Sequence, residues 1–426
     1  MGLQNLGTHA NMCQVAANAS TSQSAATVCS KFPILEEDFC KQVMIQMAKA
    51  VLNSKLSKDA AASFLDAARN NLKFLGDLWS SPGRIIDTTA MIQQIPKTKE
   101  AVFHCLGLVP HLTTRICCQK CFALYPLQPD NPNAPTKCQQ SFLSQYQGYC
   151  KWAKLQKLDP TCDQELYKLD KRKVSTPIRT YTYVTLYSWL EERVAQPSFE
   201  SLLDSSLSAT SWESDDPMED VWHGSVWREF PNADDGSGIY TSHSGNLVFS
   251  LYLDWFNAEG SSSHGKHNSV GAIVLICLNL PPTQRYKVEN VFLFGIIPGP
   301  REPSLDEVNH LLQPLIDELK EFWTGIFFAS TSQHPQGRTI RAAIFPLIAD
   351  LPALRKVGGF GSHSSIRFCS FCTLSKHNLE EIDKLKFHPR TNDEHLKQAN
   401  AWLQHDNATS QKNFFKQQGA QWSVLN

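Results

Sequence analysis

The sequence has no long hydrophobic run and no excess of charge of either sign. Its longest apolar stretch, Val270–Leu278, has the length of one strand and falls well short of the roughly 20 residues of a membrane-spanning helix. Lys and Arg number 40 against 41 Asp and Glu, which excludes a wholly basic nucleic-acid binder. Residues 1–30 lack the basic and apolar segments of a secretory signal. We therefore expect an intracellular chain without a membrane span, in which disulfides are rare.

The signature motifs of several enzyme classes are also missing. The chain contains no G-x-S-x-G, no H-E-x-x-H and no P-loop sequence. With 426 residues, 42% of them hydrophobic, it is long enough for two to three globular domains. Its 13 cysteines need an explanation other than disulfide bonding.

Composition and periodicity divide the chain into six regions. The Ala/Ser-rich start predicts a disordered leader, two amphipathic stretches predict helices, and Ser-rich acidic sequence predicts a linker before an α/β pattern begins. The predicted regions are a polar leader (1–30), a helical region (31–110), a cysteine-rich module with a basic stretch and a helix (111–200), an acidic linker (201–240), an α/β core (241–378) and a polar helical tail (379–426).

The α/β pattern consists of short apolar runs around one long amphipathic helix. Ser304 and Glu307 have the spacing of a capping box and open this helix. Pro314 should kink or split it, because proline lacks the backbone N–H that a helix interior uses. The runs Leu247–Leu253 and Thr339–Ala349 are expected to be the strands before and after it.

Four cysteines have spacing that predicts a zinc ribbon. Cys118-x-x-Cys121 can place two thiolates on one tight turn, and Cys138 with Cys162 can complete a tetrahedral shell. Cys150 could replace either member of the second pair, and the adjacent Cys117 should be spare. The alternative is that these are ordinary buried thiols, since free cysteine is among the most buried residue types.

A second CxxC, formed by Cys369 and Cys372, supplies only half of a zinc shell. We expect it to belong to a second zinc site, and among the nearby histidines we choose His395 as a further ligand. The alternative is that the two cysteines form a redox pair. Other imidazoles are near in sequence: His363, His377 and His388. The preceding glycines, Gly358–Gly361, match no phosphate-binding consensus and predict a flexible turn.

Two aspartates follow apolar strands of the α/β region. Alternation along Leu247–Asp254 puts Asp254 on the face opposite Leu251 and Leu253, and Asp350 ends the strand Thr339–Ala349. If the two strands are neighbours, the carboxylates converge on one edge, where oxygen ligands suit divalent cations and phosphoryl transfer. The alternative is that both are turn-forming residues, a common role for aspartate.

Several separated segments resemble the CACTA-type (En/Spm-like) DNA transposases, in the form common in fungal genomes. The segments are Leu251–Asn257, Asn290–Pro300, Asp350–Phe360 with Cys369-x-x-Cys372, the upstream block Cys118–Tyr125, and the pattern Pro177, Tyr183, Trp189-Leu190. Their order along the chain makes the resemblance specific, and it extends from about residue 95 to the end.

The resemblance implies an RNase H-like mixed sheet with flanking helices, incomplete here, behind a zinc-ribbon-like module and a small helical N-terminal piece. Asp254 and Asp350 match the first two catalytic acids of the family, which would use Mg²⁺ or Mn²⁺ for DNA strand cleavage and strand transfer. Transposon-end DNA, a nuclear location and homo-oligomers are expected. A third acid belongs to a later segment; none can be assigned, so we expect a truncated copy.

A non-catalytic function remains an alternative. Residues 151–180 hold eight Lys and Arg beside the cysteine cluster, and Lys171, Arg172 and Lys173 are the candidate phosphate contacts. The chain could therefore be a zinc-containing, DNA- or protein-binding remnant of a transposase.

Overall fold

The computed structural model describes residues 33–54, 57–79, 88–106, 110–127, 135–140, 161–169, 174–207, 217–231, 238–257, 269–380, 383, 387–405 and 408–426. The chain divides into two compact units, Met1–Pro110 and His111–Asn426. The predicted leader over 1–30 lies outside the described residues. Within the described ranges, no helix combines the length and hydrophobicity needed to cross a membrane.

The first unit is helical where it is described. Its helices are α1 (Pro33–Ser54), α2 (Lys58–Trp79), α3 (Thr89–Gln94) and α4 (Lys99–Cys105). Met47 of α1, Leu65 of α2 and Val102 of α4 are fully buried in one small core, as amphipathic spacing requires. Phe64, which has the same spacing, is instead 38% exposed.

The described part of the second unit contains a mixed sheet and a small hairpin. The strands are β1 (Leu112–Cys117), β2 (Leu124–Pro126), β3 (Tyr167–Leu169), β4 (Ser175–Pro177), β5 (Thr180–Val184), β6 (Asn246–Asn257), β7 (Ser269–Cys277), β8 (Val291–Ile297), β9 (Ile326–Phe328) and β10 (Arg338–Ile348). Eight of them form one sheet in the order β2-β1-β5-β8-β7-β6-β10-β9, and β3 pairs with β4. The cysteine-rich region therefore shares its sheet with the α/β core.

The helices of this unit flank the sheet or follow it. They are α5 (Leu186–Val194), α6 (Pro197–Leu203), α7 (Ser225–Glu229), α8 (Pro282–Arg285), α9 (Leu305–Thr324), α10 (Leu351–Val357), α11 (Asn392–Leu403) and α12 (Ala408–Gln418).

The long helix α9 covers one face of the central strands. Glu307 accepts the Ser304 backbone N–H at 2.7 Å, so the predicted capping box is present. The helix continues through Pro314 as one element, because its buried face holds it against the sheet on both sides of the proline. That apolar face is buried: Val308, Leu311, Leu312, Leu315, Leu319 and Phe322.

The acidic stretch 201–240 packs as part of the second unit wherever it is described, rather than connecting two domains. Asp220 forms a two-point ion pair with Arg285 at 2.7 and 2.9 Å, and their side chains are 9% and 3% exposed. Trp227 and Tyr240 are buried in one cluster with Val248 of β6, and the Tyr240 ring stacks on Trp323 of α9 with centroids 5.3 Å apart. Acidic residues of this stretch therefore form buried contacts within the fold, and a count of charges along the sequence cannot reveal this.

The polar tail also belongs to this unit. Ser423 is fully buried and its hydroxyl donates to the Val357 carbonyl at 2.6 Å, and the Val424 N–H donates to the Asn309 Oδ1 atom at 3.0 Å. Gly359 has a φ of +72°, and a Cβ there would lie 2.3 Å from the Gln421 carbonyl oxygen. The glycine turn thus serves close backbone packing of the tail.

Candidate metal centres

Asp254 lies on β6 and Asp350 follows β10. Strands β6 and β10 are adjacent and parallel, with Leu347 paired to Leu251 and Ile348 to Tyr252. Asp254 lies two residues after Tyr252, within β6, and Asp350 lies two residues after Ile348, at the N-cap of helix α10. Both aspartates are exposed. The condition of the prediction, that the two strands are neighbours, is therefore met, and the convergence of the two carboxylates stays a prediction.

Each of these carboxylates is oriented by one backbone N–H. Asp254 Oδ1 accepts the N–H of Trp255 at 2.8 Å, and Asp350 Oδ1 caps helix α10 by accepting the N–H of Ala353 at 2.8 Å. Within the described part of the chain, the Oδ2 atoms of both residues have no recorded hydrogen-bond partner. One oxygen of each carboxylate is thus available to a cation.

Cys118, Cys121, Cys138 and Cys162 form the second centre. Their four Sγ atoms all lie within 4.8 Å of one another, and all four residues are buried. Cys118 Sγ is 3.7 Å from Cys162 Sγ, and Cys121 Sγ is 3.5 Å from Cys138 Sγ. Four thiolates at Zn–S distances of about 2.3 Å require similar S–S separations. The set fits a structural zinc ion by ligand type, number and spacing.

Tight backbone turns hold the four sulfurs together. Phe122 follows Cys121 with a φ of +59°, and Asp163 follows Cys162 with a φ of +50°, so each pair of cysteines ends in a left-handed turn. The Cys138 N–H donates to the Gln164 carbonyl at 2.8 Å, which joins the segment of Cys138 to that of Cys162.

Polar groups around the sulfurs adjust their ionisation. Hydrogen bonds with Cys121 and Cys138 hold the pKa of the Cys118 thiol well below its usual range, while burial raises the pKa of Cys162 to about 11. Tyr125 lies with its hydroxyl 3.2 Å from Cys138 Sγ. A bound metal would convert the remaining thiols to thiolates.

Two arginines flank this centre: Arg179 belongs to the basic stretch 151–180, and no sequence pattern indicated Arg301. The Arg179 guanidinium lies 4.0 Å from the centroid of the Phe122 ring and donates to the Cys118 carbonyl. The Arg301 guanidinium lies 4.7 Å from the same centroid and donates to the Lys120 carbonyl. A zinc ion bound by four thiolates keeps a net negative charge, which these cations balance.

The two neighbouring cysteines named in the sequence are placed differently. Cys117 is buried in the main core and stays outside the quartet, where burial raises the pKa of its thiol to about 11. Cys150 lies outside the described residues, as do Lys171, Arg172 and Lys173.

The second CxxC remains half a site in the described part of the chain. Cys369 and Cys372 have their Sγ atoms 3.5 Å apart, but no third Cys, His, Asp or Glu joins them in a ligand group there. His395 is buried elsewhere: its Nε2 lies 3.0 Å from the Gly358 carbonyl oxygen and its ring stacks on Phe360. The structure therefore does not bring the selected histidine to this pair, because α11 uses it to anchor the glycine turn.

Comparison with known protein families gives one match. Residues 215–413 match the family model described as transposase family tnp2. This range contains Asp254, Asp350 and the Cys369–Cys372 pair, and it does not include the four-cysteine centre. No curated protein matches the chain at a significant level. The match supports a transposase family for this part of the chain.

Proposed function

We propose that this chain is a transposase-like protein whose Asp254 and Asp350 hold divalent cations for DNA strand cleavage and strand transfer. The observation that carries the proposal is the parallel register of β6 and β10, because its continuation by two residues would set the two carboxylates side by side. The tnp2 match spans both residues and supports the same function. Transposon-end DNA is the proposed substrate, and CACTA type, nuclear location and homo-oligomerisation belong to the proposal through the sequence resemblance.

The order of the central strands supports an RNase H-like assignment of the core. Strands β8, β7 and β6 form an antiparallel meander, and the chain then crosses through α9 to β10, which lies parallel to β6 on its other side. Asp254 lies in the second half of β6, and Asp350 follows β10 by two residues; this crossover makes the two strands neighbours. A crossover of this kind would explain how two carboxylates that lie about 100 residues apart in sequence come close together.

The residues of the chain would act by positioning. Asp254 and Asp350 each have one oxygen fixed by a backbone N–H, so the second oxygen is presented in a defined direction. Mg²⁺ or Mn²⁺ bound there would supply charge stabilisation for phosphoryl transfer. Such catalysis depends on a complete set of ligands, and no third carboxylate is assigned. We therefore expect little strand transfer from these 426 residues alone.

The second candidate is a zinc-containing DNA-binding protein without catalysis. The observation that favours it is that the four-cysteine centre has a complete ligand set, whereas the acidic edge has two carboxylates. Lys171, Arg172 and Lys173 would then contact phosphates, and their joint replacement by Ala should weaken DNA binding and flatten its salt dependence.

Mn²⁺ binding separates the two functions. We expect titration followed by electron paramagnetic resonance to show Mn²⁺ bound to the full chain, with at least about tenfold weaker binding in Asp254→Asn and in Asp350→Asn. Asn caps helices as well as Asp does, so the second variant removes charge without removing the cap of α10. Asp393→Asn, an exposed change in the first turn of α11, is the matched control.

Plasmid nicking in Mn²⁺ is the companion assay for cleavage. A chain that binds DNA but has no Mn²⁺ site at Asp254 and Asp350 would favour the non-catalytic candidate. An affinity for Mn²⁺ that is unchanged in both Asp254→Asn and Asp350→Asn would contradict the assignment of the acidic site.

A further inference from the structure

The loop Pro298–Pro303, which we name the bridge loop, contacts the surroundings of both candidate metal centres. It connects β8 to α9 and carries two adjacent charged residues of opposite sign, Arg301 and Glu302. Arg301 reaches toward the four-cysteine centre, and Glu302 reaches toward the helix that Asp350 opens. No sequence motif drew attention to this pair.

Arg301 is held at three points on the cysteine side. Its two terminal nitrogens donate to the two carboxylate oxygens of Glu307, each at 2.7 Å. The guanidinium also donates to the Lys120 carbonyl, inside the Cys118–Cys121 turn, and lies over the Phe122 ring. A planar guanidinium can satisfy all three at once, which a lysine could not do.

Glu302 is held on the acidic side. Its Oε2 atom accepts Lys356 Nζ at 3.1 Å, and its Oε1 atom accepts the Ser269 hydroxyl at 3.4 Å. The Lys356 side chain is 22% exposed and that of Glu302 is 47% exposed, so this ion pair is shielded from solvent on the lysine side only. The bridge loop is thereby tied to α10 and to the start of β7.

Lys356 links this contact to both aspartates. Its Nζ lies 4.4 Å from the centroid of the Trp255 ring, the residue whose N–H orients Asp254. It also lies on α10, whose N-cap is Asp350. One side chain therefore fixes the position of α10 relative to the end of β6, and with it the relation between the two carboxylates.

We propose that Arg301 and Lys356 are positioning residues, through which the bridge loop joins the four-cysteine centre to the acidic pair and sets the cation affinity of that pair. The inference rests on the proposed function for its cation, but the contacts that carry it are independent of catalysis. It assigns the cysteine centre a role beyond holding its own turns together. Coupling of this kind needs a physical chain of contacts that biases both sites.

Lys356→Met and Arg301→Gln test the bridge in the zinc-loaded full chain. We expect the Mn²⁺ dissociation constant to rise about three- to tenfold in each, because the contacts are partly shielded charge interactions. The Mn²⁺ affinity of the double variant should be only slightly lower than that of the weaker-binding single variant, because both residues act through one chain of contacts. Lys356→Arg should largely restore affinity by keeping a cation over Trp255. Zinc content should stay at the wild-type value in all four.

Lys320→Met and Arg193→Gln are matched controls. Lys320 is an exposed lysine on α9, and Arg193 donates to the Glu289 carbonyl at 2.6 Å, away from the bridge loop. Both should change Mn²⁺ affinity by less than about twofold. Equal losses in the controls and in the bridge variants would overturn the proposal, as would unchanged affinity in both bridge variants.

Hydrogen exchange separates failure of the bridge from failure of the proposed function. The Trp255 and Ala353 amides, which bond the two aspartates, should exchange several times faster in Lys356→Met than in Lys320→Met. Faster exchange in a protein that binds no Mn²⁺ at the acidic pair would overturn the proposed function and retain the positioning role. Unchanged exchange would overturn the positioning role, whatever the Mn²⁺ affinity.

Discussion

The four-cysteine centre and the acidic pair lie in the same compact unit but are built in opposite ways. The sulfurs are buried, mutually close and complete as a ligand set, and a left-handed turn residue follows Cys121 and Cys162. The carboxylates are exposed, with one oxygen of each fixed and the other open. A closed soft-ligand site suits a structural ion, whereas an open oxygen site suits a cation that must meet a substrate. The difference predicts that changes at the first centre alter folding and changes at the second alter binding.

The largest effect is expected at the cysteines. Cys118→Ser with Cys121→Ser should remove one zinc per chain and expose the segment 110–170 to protease. Structural zinc in small peptides contributes on the order of 10 kcal/mol of binding free energy, and few apolar contacts replace it here. Metal analysis and limited proteolysis measure both outcomes. Cys105→Ser, in the other unit, is the control, and an unchanged zinc content in the double variant would rule out the quartet as a metal site.

The second-largest effect is expected at the buried ion pair of Asp220 and Arg285. Asp220→Asn leaves the Arg285 guanidinium buried without its countercharge, which should lower the free energy of unfolding by about 3–5 kcal/mol. Lys137→Met breaks an exposed pair with Asp163 at 3.2 Å and should cost less than about 1 kcal/mol. Urea unfolding compares the two. Equal costs would mean that the acidic stretch contributes no more to the fold than a surface pair.

Glu200 is a buried carboxylate with several hydrogen-bond partners, in contrast to the exposed carboxylates of Asp254 and Asp350. Burial raises its pKa, but hydrogen bonds from Thr331, the Gln333 N–H, Ser332 and His334 outweigh burial and lower the pKa to about 2. Because the folded pKa lies below the unfolded one, the stabilisation is complete above about pH 4.5 and is lost as pH falls toward 2.

We expect this loss to amount to about 2–3 kcal/mol in acid unfolding, and Glu200→Gln should remove that part of the pH dependence. A variant with the same acid profile as the wild type would show that another carboxylate is responsible.

The smallest effect on stability is expected at the acidic pair. Asp254→Asn and Asp350→Asn should each change the free energy of unfolding by less than about 0.5 kcal/mol, because both side chains are exposed and Asn keeps the cap of α10. Thermal and urea unfolding at neutral pH measure this. A loss above about 2 kcal/mol would indicate that these residues hold the fold together, and the contrast between the two centres would then fail.

Local patterns in the sequence predicted what is local in the structure. Alternation along Leu247–Leu253, the capping box at Ser304 and the close spacing of Cys118 and Cys121 are decided within a few residues, and each agrees with the structure. The pairing of β6 with β10 was a conditional expectation, because no local signal tells which strands become neighbours.

Long-range contacts account for the differences. The cysteine-rich region was expected to be a separate module, but β1 and β5 join the central sheet through the pairing of Tyr183 with Gly295. His395 was selected for its nearness in sequence to the second CxxC, and the structure uses it under Gly358 instead. Arg301 and Lys356 stand in no recognisable motif, since their importance comes only from what they touch.

The central claim is that Asp254 and Asp350 present their carboxylates to a shared cation. Anomalous diffraction from crystals of the full chain soaked in Mn²⁺ tests it most directly. The account predicts a peak between the two carboxylates, within about 2.0–2.3 Å of one oxygen of each, and a second ion if present about 3.5–4 Å from the first. An ordered edge with both carboxylates clearly resolved but pointing away from each other, and no peak between them, would contradict it.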